Sequence, residues 1–224
     1  LALDDAVGVV LDKLRDADLE ENTLIVYFND NGGPTMPGTT INGSRNDPFR
    51  GSKRTTLEGG IHVPFVMSWK GRLPAGMVYD QPVIQLDVLP TALAAAGVAA
   101  QPDWKLDGVD LLPYLTGAET KAPHGTLYWR MGGQAAIRRG DWTLVRYVAV
   151  VDSPGARSNA GDVAVTPFRL YNLAADPGES KDRSADHPDK AEELRAAWQD
   201  WSRELVPPLW GPSGAKAKAG AKAR

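Results

Sequence analysis

Asp30 and Asn31 are the residues of this chain whose types and spacing most directly allow chemistry. They place a carboxylate beside a side-chain amide oxygen, and oxygen ligands of this kind suit Ca²⁺ or Mg²⁺. The pair opens the sequence Asp30-Asn31-Gly32-Gly33, which is also typical of a turn because Asn and Gly tolerate positive φ angles. Two ligands do not complete a metal site. Spacing alone therefore favours a turn and leaves a metal loop as the alternative.

A second candidate is the segment Arg50-Gly51-Ser52-Lys53, which places two cations beside a flexible glycine. It lies within residues 34–60, a stretch without sustained periodicity. Long irregular stretches inside compact domains are often functional loops. The cations could receive an anionic ligand. Taken by itself, however, the segment is typical of a solvated loop.

The residues before Asp30 predict the elements that position it. Residues 23–28 form a continuous β-branched and aromatic run, which predicts a strand buried on both faces. In open α/β sheets, ligand sites lie just beyond the carboxyl ends of the strands, where Asp30 falls. A helix is predicted before this strand from five apolar residues at helical spacing: Leu3, Val7, Val10, Leu11 and Leu14.

Residues 62–122 are predicted to continue this α/β segment. Residues 62–69 have strand composition, a helix begins near Asp87 as its cap and ends at Gly97, and residues 109–115 form a shorter helix.

Beyond about residue 122, short aromatic segments separated by turns predict a small antiparallel sheet. The four predicted strands span residues 126–130, 135–138, 142–148 and 168–173. A helix over residues 189–205 carries an apolar stripe suited to cover that sheet. Four tryptophans are predicted to pack where the sheet meets the helix: Trp129, Trp142, Trp198 and Trp201.

The predicted fold class is therefore α/β followed by a small α+β unit. The predicted limits are residues 1–122 for the α/β part and 123–211 for the α+β part. Residues 212–224 form an Ala/Lys/Gly tail without larger apolar side chains, and we expect it to be disordered.

Composition excludes several classes of function. The formal net charge of −3 argues against binding nucleic acid through bulk electrostatics. The absence of cysteine excludes disulfides, cysteine-ligated zinc and a thiol nucleophile in this chain. No apolar run is long enough to predict a membrane span. Because helical periodicity starts directly at Leu1, which is not Met, we expect a fragment whose beginning is missing.

The order of these features resembles the sulfatase family of the alkaline-phosphatase-like superfamily. The resemblance covers about residues 1–205, and several ordered segments are far more specific than a lone tetrapeptide. It implies the C-terminal part of a sulfatase sandwich, followed by a subdomain with an antiparallel sheet and a packed helix. The segments that carry it are LIVYFNDNGG (24–33), PFRGSKRTTLEGGIHVPFVMSW (48–69), QLDVLPTALAAAG (85–97), LDGVDLLPYLTG (106–117), AIRRGDWTLV (136–145) and LYNLAADPGES (170–180).

The resemblance implies roles for individual residues. Asp30 and Asn31 would be two ligands of one divalent cation, usually Ca²⁺, and Lys53 would contact the sulfate as a catalytic and substrate-binding residue. Arg50 would either support the anion or order the loop by pairing with a carboxylate. Glu58 would either orient Lys53 or cap a turn.

The family's nucleophile is a hydrated formylglycine made from Cys or Ser in an upstream motif, and no segment of this chain matches that motif. We therefore expect the chain alone to be inactive and its complete product to need a formylglycine-generating enzyme. Aryl or carbohydrate sulfates are the expected substrates, and a periplasmic or secreted location is suggested.

Two residues depart from the family pattern. His62 stands where Arg is common, and we interpret it as a packing or hydrogen-bonding residue at the strand start, with an acid-base group as the alternative. Arg54 follows the lysine where a small residue is common. The other two histidines, His124 and His187, receive no predicted role.

Two alternatives remain open at this point. Phosphoesterases and phosphonate hydrolases of the same superfamily also stabilise tetrahedral anions. A sulfatase-like module without catalytic activity would retain the same loops as relics.

Overall fold

The computed structural model describes residues 2–36, 42–152 and 164–207. The chain forms two compact units. The first unit comprises Leu1–Asn29 and Pro64–His124, and the second comprises Asp30–Val63 and Gly125–Arg224. The domain limits expected from the sequence stay predictions, and the expected tail at 212–224 lies outside the described residues.

The first unit contains the predicted helices and a two-stranded sheet. Helix α1 (Ala2–Asp16) has Asp4 and Asp5 in its first turn and Lys13 and Arg15 in its last turn, which complements the helix dipole. Gly97, at φ +69°, follows the third helix of the chain as predicted. The elements of this unit are α1 (Ala2–Asp16), β1 (Ile25–Phe28), β2 (Phe65–Ser68), α3 (Val88–Ala95) and α4 (Leu112–Leu115).

Strand β1 forms where the sequence predicts a strand, but it is not buried on both faces. Tyr27 of β1 is 37% exposed, and Val66 of β2 is 57% exposed. Within the described residues β1 pairs with β2 alone, in antiparallel register from Ile25–Ser68 to Phe28–Phe65. A sheet of two strands has too little cover to bury both of its faces.

No helix in the described part of the chain is long and apolar enough to span a membrane.

Asp87 stands at the predicted N-cap position of α3, but its side chain caps the preceding 3₁₀ turn and not the helix. It is fully buried and ends a 3₁₀ turn, where its carboxylate accepts hydrogen bonds from the amides of Ile84 and Val109, each at 2.9 Å. Helix α3 itself receives no side-chain cap from Asp87. His124 Nε2 lies 2.9 Å from both carboxylate oxygens, so this histidine pairs with a buried acid in the first unit.

The second unit confirms the predicted antiparallel sheet and its covering helix. Four strands follow chain order in an antiparallel sheet, and the last helix packs on one face. A one-turn helix, α2, lies in the loop region ahead of the sheet. The elements are α2 (Glu58–Ile61), β3 (Leu127–Met131), β4 (Gln134–Arg139), β5 (Trp142–Arg146), β6 (Arg169–Asn172) and α5 (Pro188–Glu204).

The two faces of this sheet pack against different partners. Ile137 and Leu144 face Leu194 and Trp198 of α5. The opposite face packs against Leu57, which is fully buried and lies directly before α2. Because strand side chains alternate between faces, one sheet holds α5 on one side and the Arg50–Ile61 region on the other.

One tryptophan lies on the face that was not predicted. Trp142, Trp198 and Trp201 pack in the cluster between the sheet and α5, as expected. Trp129 packs instead with the Leu57 cluster on the other face. It lies one residue after Tyr128, which packs beneath α5, and consecutive strand residues point to opposite faces.

Candidate active site

Asp30 and Asn31 lie at the start of the second unit with their oxygen atoms available. The Asp30 residue is exposed, and no described residue forms a hydrogen bond or ion pair with its carboxylate. The Asn31 Nδ2 group donates to the Gly32 carbonyl at 2.9 Å, and its amide oxygen has no hydrogen-bond partner among the described residues. A free carboxylate beside a free amide oxygen fits a hard cation such as Ca²⁺.

Asp30 and Asn31 alone do not make a metal site. Within the described residues there is no group of three or more His, Cys, Asp or Glu that could hold a metal ion. The assignment of Asp30 and Asn31 as metal ligands therefore stays a prediction.

The glycines after Asn31 allow two backbone segments to touch. The Gly32 amide donates to the Gly60 carbonyl at 2.9 Å. A Cβ atom on Gly32 would stand 1.9 Å from the Gly59 carbonyl oxygen, and one on Gly60 would stand 2.3 Å from the Thr55 carbonyl oxygen. No side chain fits at either position without moving backbone. The Asn-Gly-Gly and Glu-Gly-Gly sequences therefore allow the loop of Asp30 and Asn31 to pack directly on α2.

Asn46 joins the loop of Asp30 to the loop of Lys53. Its Oδ1 atom accepts from the Gly33 amide at 2.8 Å, and its Nδ2 group donates to the carbonyls of Gly33 at 3.0 Å and Gly51 at 3.1 Å. Sequence analysis missed this residue, because an asparagine in a loop rich in Asn, Gly and Thr carries no distinguishing signal.

Ser52 and Thr55 hold the backbone on either side of Lys53. Ser52 is fully buried, and its hydroxyl donates to the Gly33 carbonyl at 3.2 Å and accepts from the Thr35 amide at 2.8 Å. The Thr55 hydroxyl donates to the Ser52 carbonyl at 2.8 Å. These bonds fix a tight turn in the loop.

Lys53 extends from this turn. Its amide donates to the Gly33 carbonyl at 3.1 Å, so its backbone is bonded to the loop that carries Asp30 and Asn31. The Lys53 residue is exposed, and no described residue pairs with its ammonium group. The following residue, Arg54, has φ +72°, a left-handed conformation that small residues adopt more easily. The sulfate-binding role of Lys53 stays a prediction.

Arg50 is held by groups of its own unit. Its guanidinium pairs with Asp152, donates to the Glu179 carbonyl at 3.0 Å and lies 5.2 Å from the centre of the Tyr147 ring. Arg169 also pairs with Asp152, at 2.8 Å. These contacts favour the interpretation that Arg50 orders the loop, and a contact with substrate stays a prediction.

Glu58 pairs with His62 and not with Lys53. Glu58 Oε2 lies 2.7 Å from His62 Nδ1, and Arg138 Nη1 is 4.0 Å away. The His62 ring also stacks on Phe49 with centroids 4.1 Å apart. The interpretation of His62 as a packing and hydrogen-bonding residue is confirmed.

Glu179 is a buried acid that sequence analysis left without a role. It is 1% exposed, and its Oε2 atom accepts from the Glu58 amide at 2.7 Å. Burial raises the pKa of its carboxyl to about 8, and the Glu58 and Asp176 carboxylates act in the same direction. The bond from the Glu58 amide and the Arg50 guanidinium oppose this increase.

Comparisons with known proteins show sulfatases among the relatives of this chain. Residues 1–98 match the family model described as Sulfatase. The N-acetylgalactosamine-6-sulfatase of Canis lupus familiaris is 30% identical over 92% of this chain and 42% of that protein. Arylsulfatase A of Homo sapiens is 32% identical over 80% of this chain and 37% of that protein. The crystal structure of Ps i-CgsB superposes with a TM-score of 0.77 at 28% identity, covering 96% of this chain and 44% of the other.

The chain therefore belongs to the sulfatase family. Its fold is the C-terminal part of an alkaline-phosphatase-like sulfatase fold, as the sequence predicts. The chain spans less than half the length of the relatives that it matches.

Proposed function

We propose that the complete gene product hydrolyses sulfate esters and that this chain contributes Asp30, Asn31 and Lys53 to the active site. The observation that carries this proposal is the hydrogen bond from the Lys53 amide to the Gly33 carbonyl at 3.1 Å. It joins the loop with the two proposed oxygen ligands to the loop of Lys53, whose ammonium group has no partner among the described residues.

The chemistry of these groups suits a sulfate ester. Negative charge on the sulfate oxygens shifts toward the leaving oxygen as the S–O bond breaks, and a fixed ammonium near these oxygens stabilises that charge. When bound by Asp30 and Asn31, a Ca²⁺ ion would supply further electrostatic stabilisation. Lys53 binds and orients the sulfate, and the buried bonds behind it hold its backbone in place.

The nucleophile is proposed to be a formylglycine outside this chain, installed by a formylglycine-generating enzyme. Residues 1–224 alone are then expected to be inactive, because they contain no cysteine and no segment like the family's modification motif. A periplasmic or secreted location is part of the same proposal.

A carbohydrate sulfate is the favoured substrate class, with aryl sulfates as the alternative. One relative is an N-acetylgalactosamine-6-sulfatase, and Ps i-CgsB was also solved in complex with k-i-k-neocarrahexaose. The similarity to arylsulfatase A supports aryl sulfates as the alternative substrate class.

The proposal is tested by sulfate release from the complete gene product, coexpressed with a formylglycine-generating enzyme and supplied with Ca²⁺. Lys53→Ala and Asp30→Ala are each expected to lower kcat/KM by about 100-fold or more, because the first removes the ammonium group proposed to bind the sulfate and the second removes a proposed ligand of the cation. Lys181→Ala, which removes another exposed lysine of the same unit, serves as the matched control and should retain activity.

Folded, correctly modified wild type that releases no sulfate from aryl or sugar sulfates would contradict the proposal. Phosphate or phosphonate turnover in the same assay would then identify a phosphoesterase or phosphonate hydrolase of the superfamily. No turnover of any ester would favour a binding module without catalytic activity.

A further inference from the structure

The loop that carries Lys53 is closed at its base. The Gly59 amide donates to the Arg50 carbonyl at 2.7 Å, which brings together the two ends of the segment from Arg50 to Glu58. Lys53 lies between these ends. The position of the loop therefore depends on what holds its base.

One residue from a distant part of the chain contacts both ends. The Glu179 carboxyl accepts from the Glu58 amide at 2.7 Å, and the Glu179 carbonyl accepts from Arg50 Nη1 at 3.0 Å. The first bond joins residues 121 positions apart, and the second joins residues 129 positions apart. Both lie within the second unit.

Glu179 is itself held in a conformation suited to this double contact. Its φ of +50° lies in the left-handed region, which a glutamate adopts at a free-energy cost. The turn around it is fixed by Asp176, whose carboxylate accepts from the amides of Ser180 at 2.8 Å and Lys181 at 2.9 Å. The backbone and side chain of Glu179 can therefore face the loop together.

We propose that Glu179 is a positioning residue for Lys53. It holds both ends of the segment from Arg50 to Glu58, the lysine loop, and so keeps the ammonium group at a constant distance from Asp30 and Asn31. Its part in catalysis rests on the sulfatase function proposed above. The mechanical part of the proposal concerns the loop alone and can be tested without any activity.

The first test measures amide hydrogen exchange in residues 50–60 of the complete gene product. Glu179→Ala is expected to speed exchange at Glu58 and Gly59 by about 10-fold or more, since the loop base loses its acceptor. Glu179→Gln keeps a carbonyl oxygen for the Glu58 amide and should exchange as wild type does. Leu194→Ala, which opens a cavity beneath α5 on the other face of the sheet, is the control for general destabilisation.

The second test measures sulfate release. Glu179→Ala is expected to lower kcat/KM by about 10-fold or more, with activity largely restored in Glu179→Gln and retained in folded Leu194→Ala. If Glu179 acts through Lys53, then adding Glu179→Ala to Lys53→Ala should cause little further loss.

The outcomes separate the two proposals. Unchanged exchange in Glu179→Ala overturns the role of Glu179, whether or not the enzyme is active. Multiplicative losses in the double variant would also overturn it. Wild type that is inactive on all sulfate esters refutes the sulfatase function, while the exchange result still decides whether Glu179 holds the loop.

Discussion

Lys53 and Asp30 are exposed and unpaired with any described residue, whereas the groups that hold their backbones are buried and bonded. Ser52 and Glu179 are each at most 1% exposed. A charged group that must bind a ligand has to keep its bonding capacity free, so its orientation must come from neighbours that are themselves fixed. We therefore expect substitutions of the buried residues Ser52 and Glu179 to affect activity, as substitutions of Lys53 and Asp30 do.

Glu179 predicts a pH dependence of stability. Its pKa is about 8 in the folded protein against an ordinary value of 4.5, so between these pH values the folded state retains a proton that the unfolded state has lost. The free energy of unfolding should then fall as pH rises through this window, by up to about 1.4 kcal/mol per pH unit. The charged groups facing this carboxyl are Glu58, Asp176 and Arg50.

The check is the thermal midpoint of wild type and Glu179→Gln from about pH 5 to about pH 9. The Gln variant should show a smaller decline, because its side chain does not titrate. Glu192→Gln, on the exposed surface of α5, should follow wild type. Parallel curves for wild type and Glu179→Gln would refute the assigned titration.

At the scale of elements, three short segments pack through their backbones. The Asp30–Gly33 loop, the lysine loop and α2 meet at Gly32, Gly59 and Gly60, where any Cβ atom would collide with a carbonyl group. Backbone packing of this kind tolerates little adjustment, which suits a site where two loops must keep a constant spacing.

Gly32→Ala is the sharpest test of this packing. Its Cβ atom would stand 1.9 Å from the Gly59 carbonyl oxygen, so the loops must separate. We expect a loss of about 1–3 kcal/mol in the free energy of unfolding and at least a 10-fold fall in sulfate release, measured by denaturation and assay of the complete gene product. Gly125→Ala has open space around its Cβ and should change neither. Wild-type behaviour of Gly32→Ala would show that the spacing is not required.

At the scale of the whole molecule, the described part of the chain contains the two proposed ligands, Asp30 and Asn31, and no cluster of three or more His, Cys, Asp or Glu that could hold a metal ion. The chain also covers only 42% of the canine N-acetylgalactosamine-6-sulfatase. Metal binding is therefore expected to be a property of the complete gene product.

This expectation predicts a difference in thermal stability. Ca²⁺ at about 100 times its Kd should stabilise the complete gene product by about 2.7 kcal/mol through mass action, and raise its Tm by several degrees. Differential scanning fluorimetry should detect the shift, and Asp30→Ala should reduce it strongly. Residues 1–224 by themselves should show little response. A full shift in the Asp30 variant would remove Asp30 from the ligand set.

The sequence by itself determined the order of the longer helices and strands and the position of the two loops, because local periodicity and turn composition are present in short windows. The residue types of Asp30, Asn31 and Lys53 made them candidates, and the resemblance to sulfatases implied their roles. The tertiary structure alone decided that Glu179 holds the lysine loop, that His124 pairs with Asp87 and that Trp129 faces Leu57. Such contacts join distant positions through packing and burial, and no local pattern records them, because the partner of a buried polar group is selected only when the chain has folded.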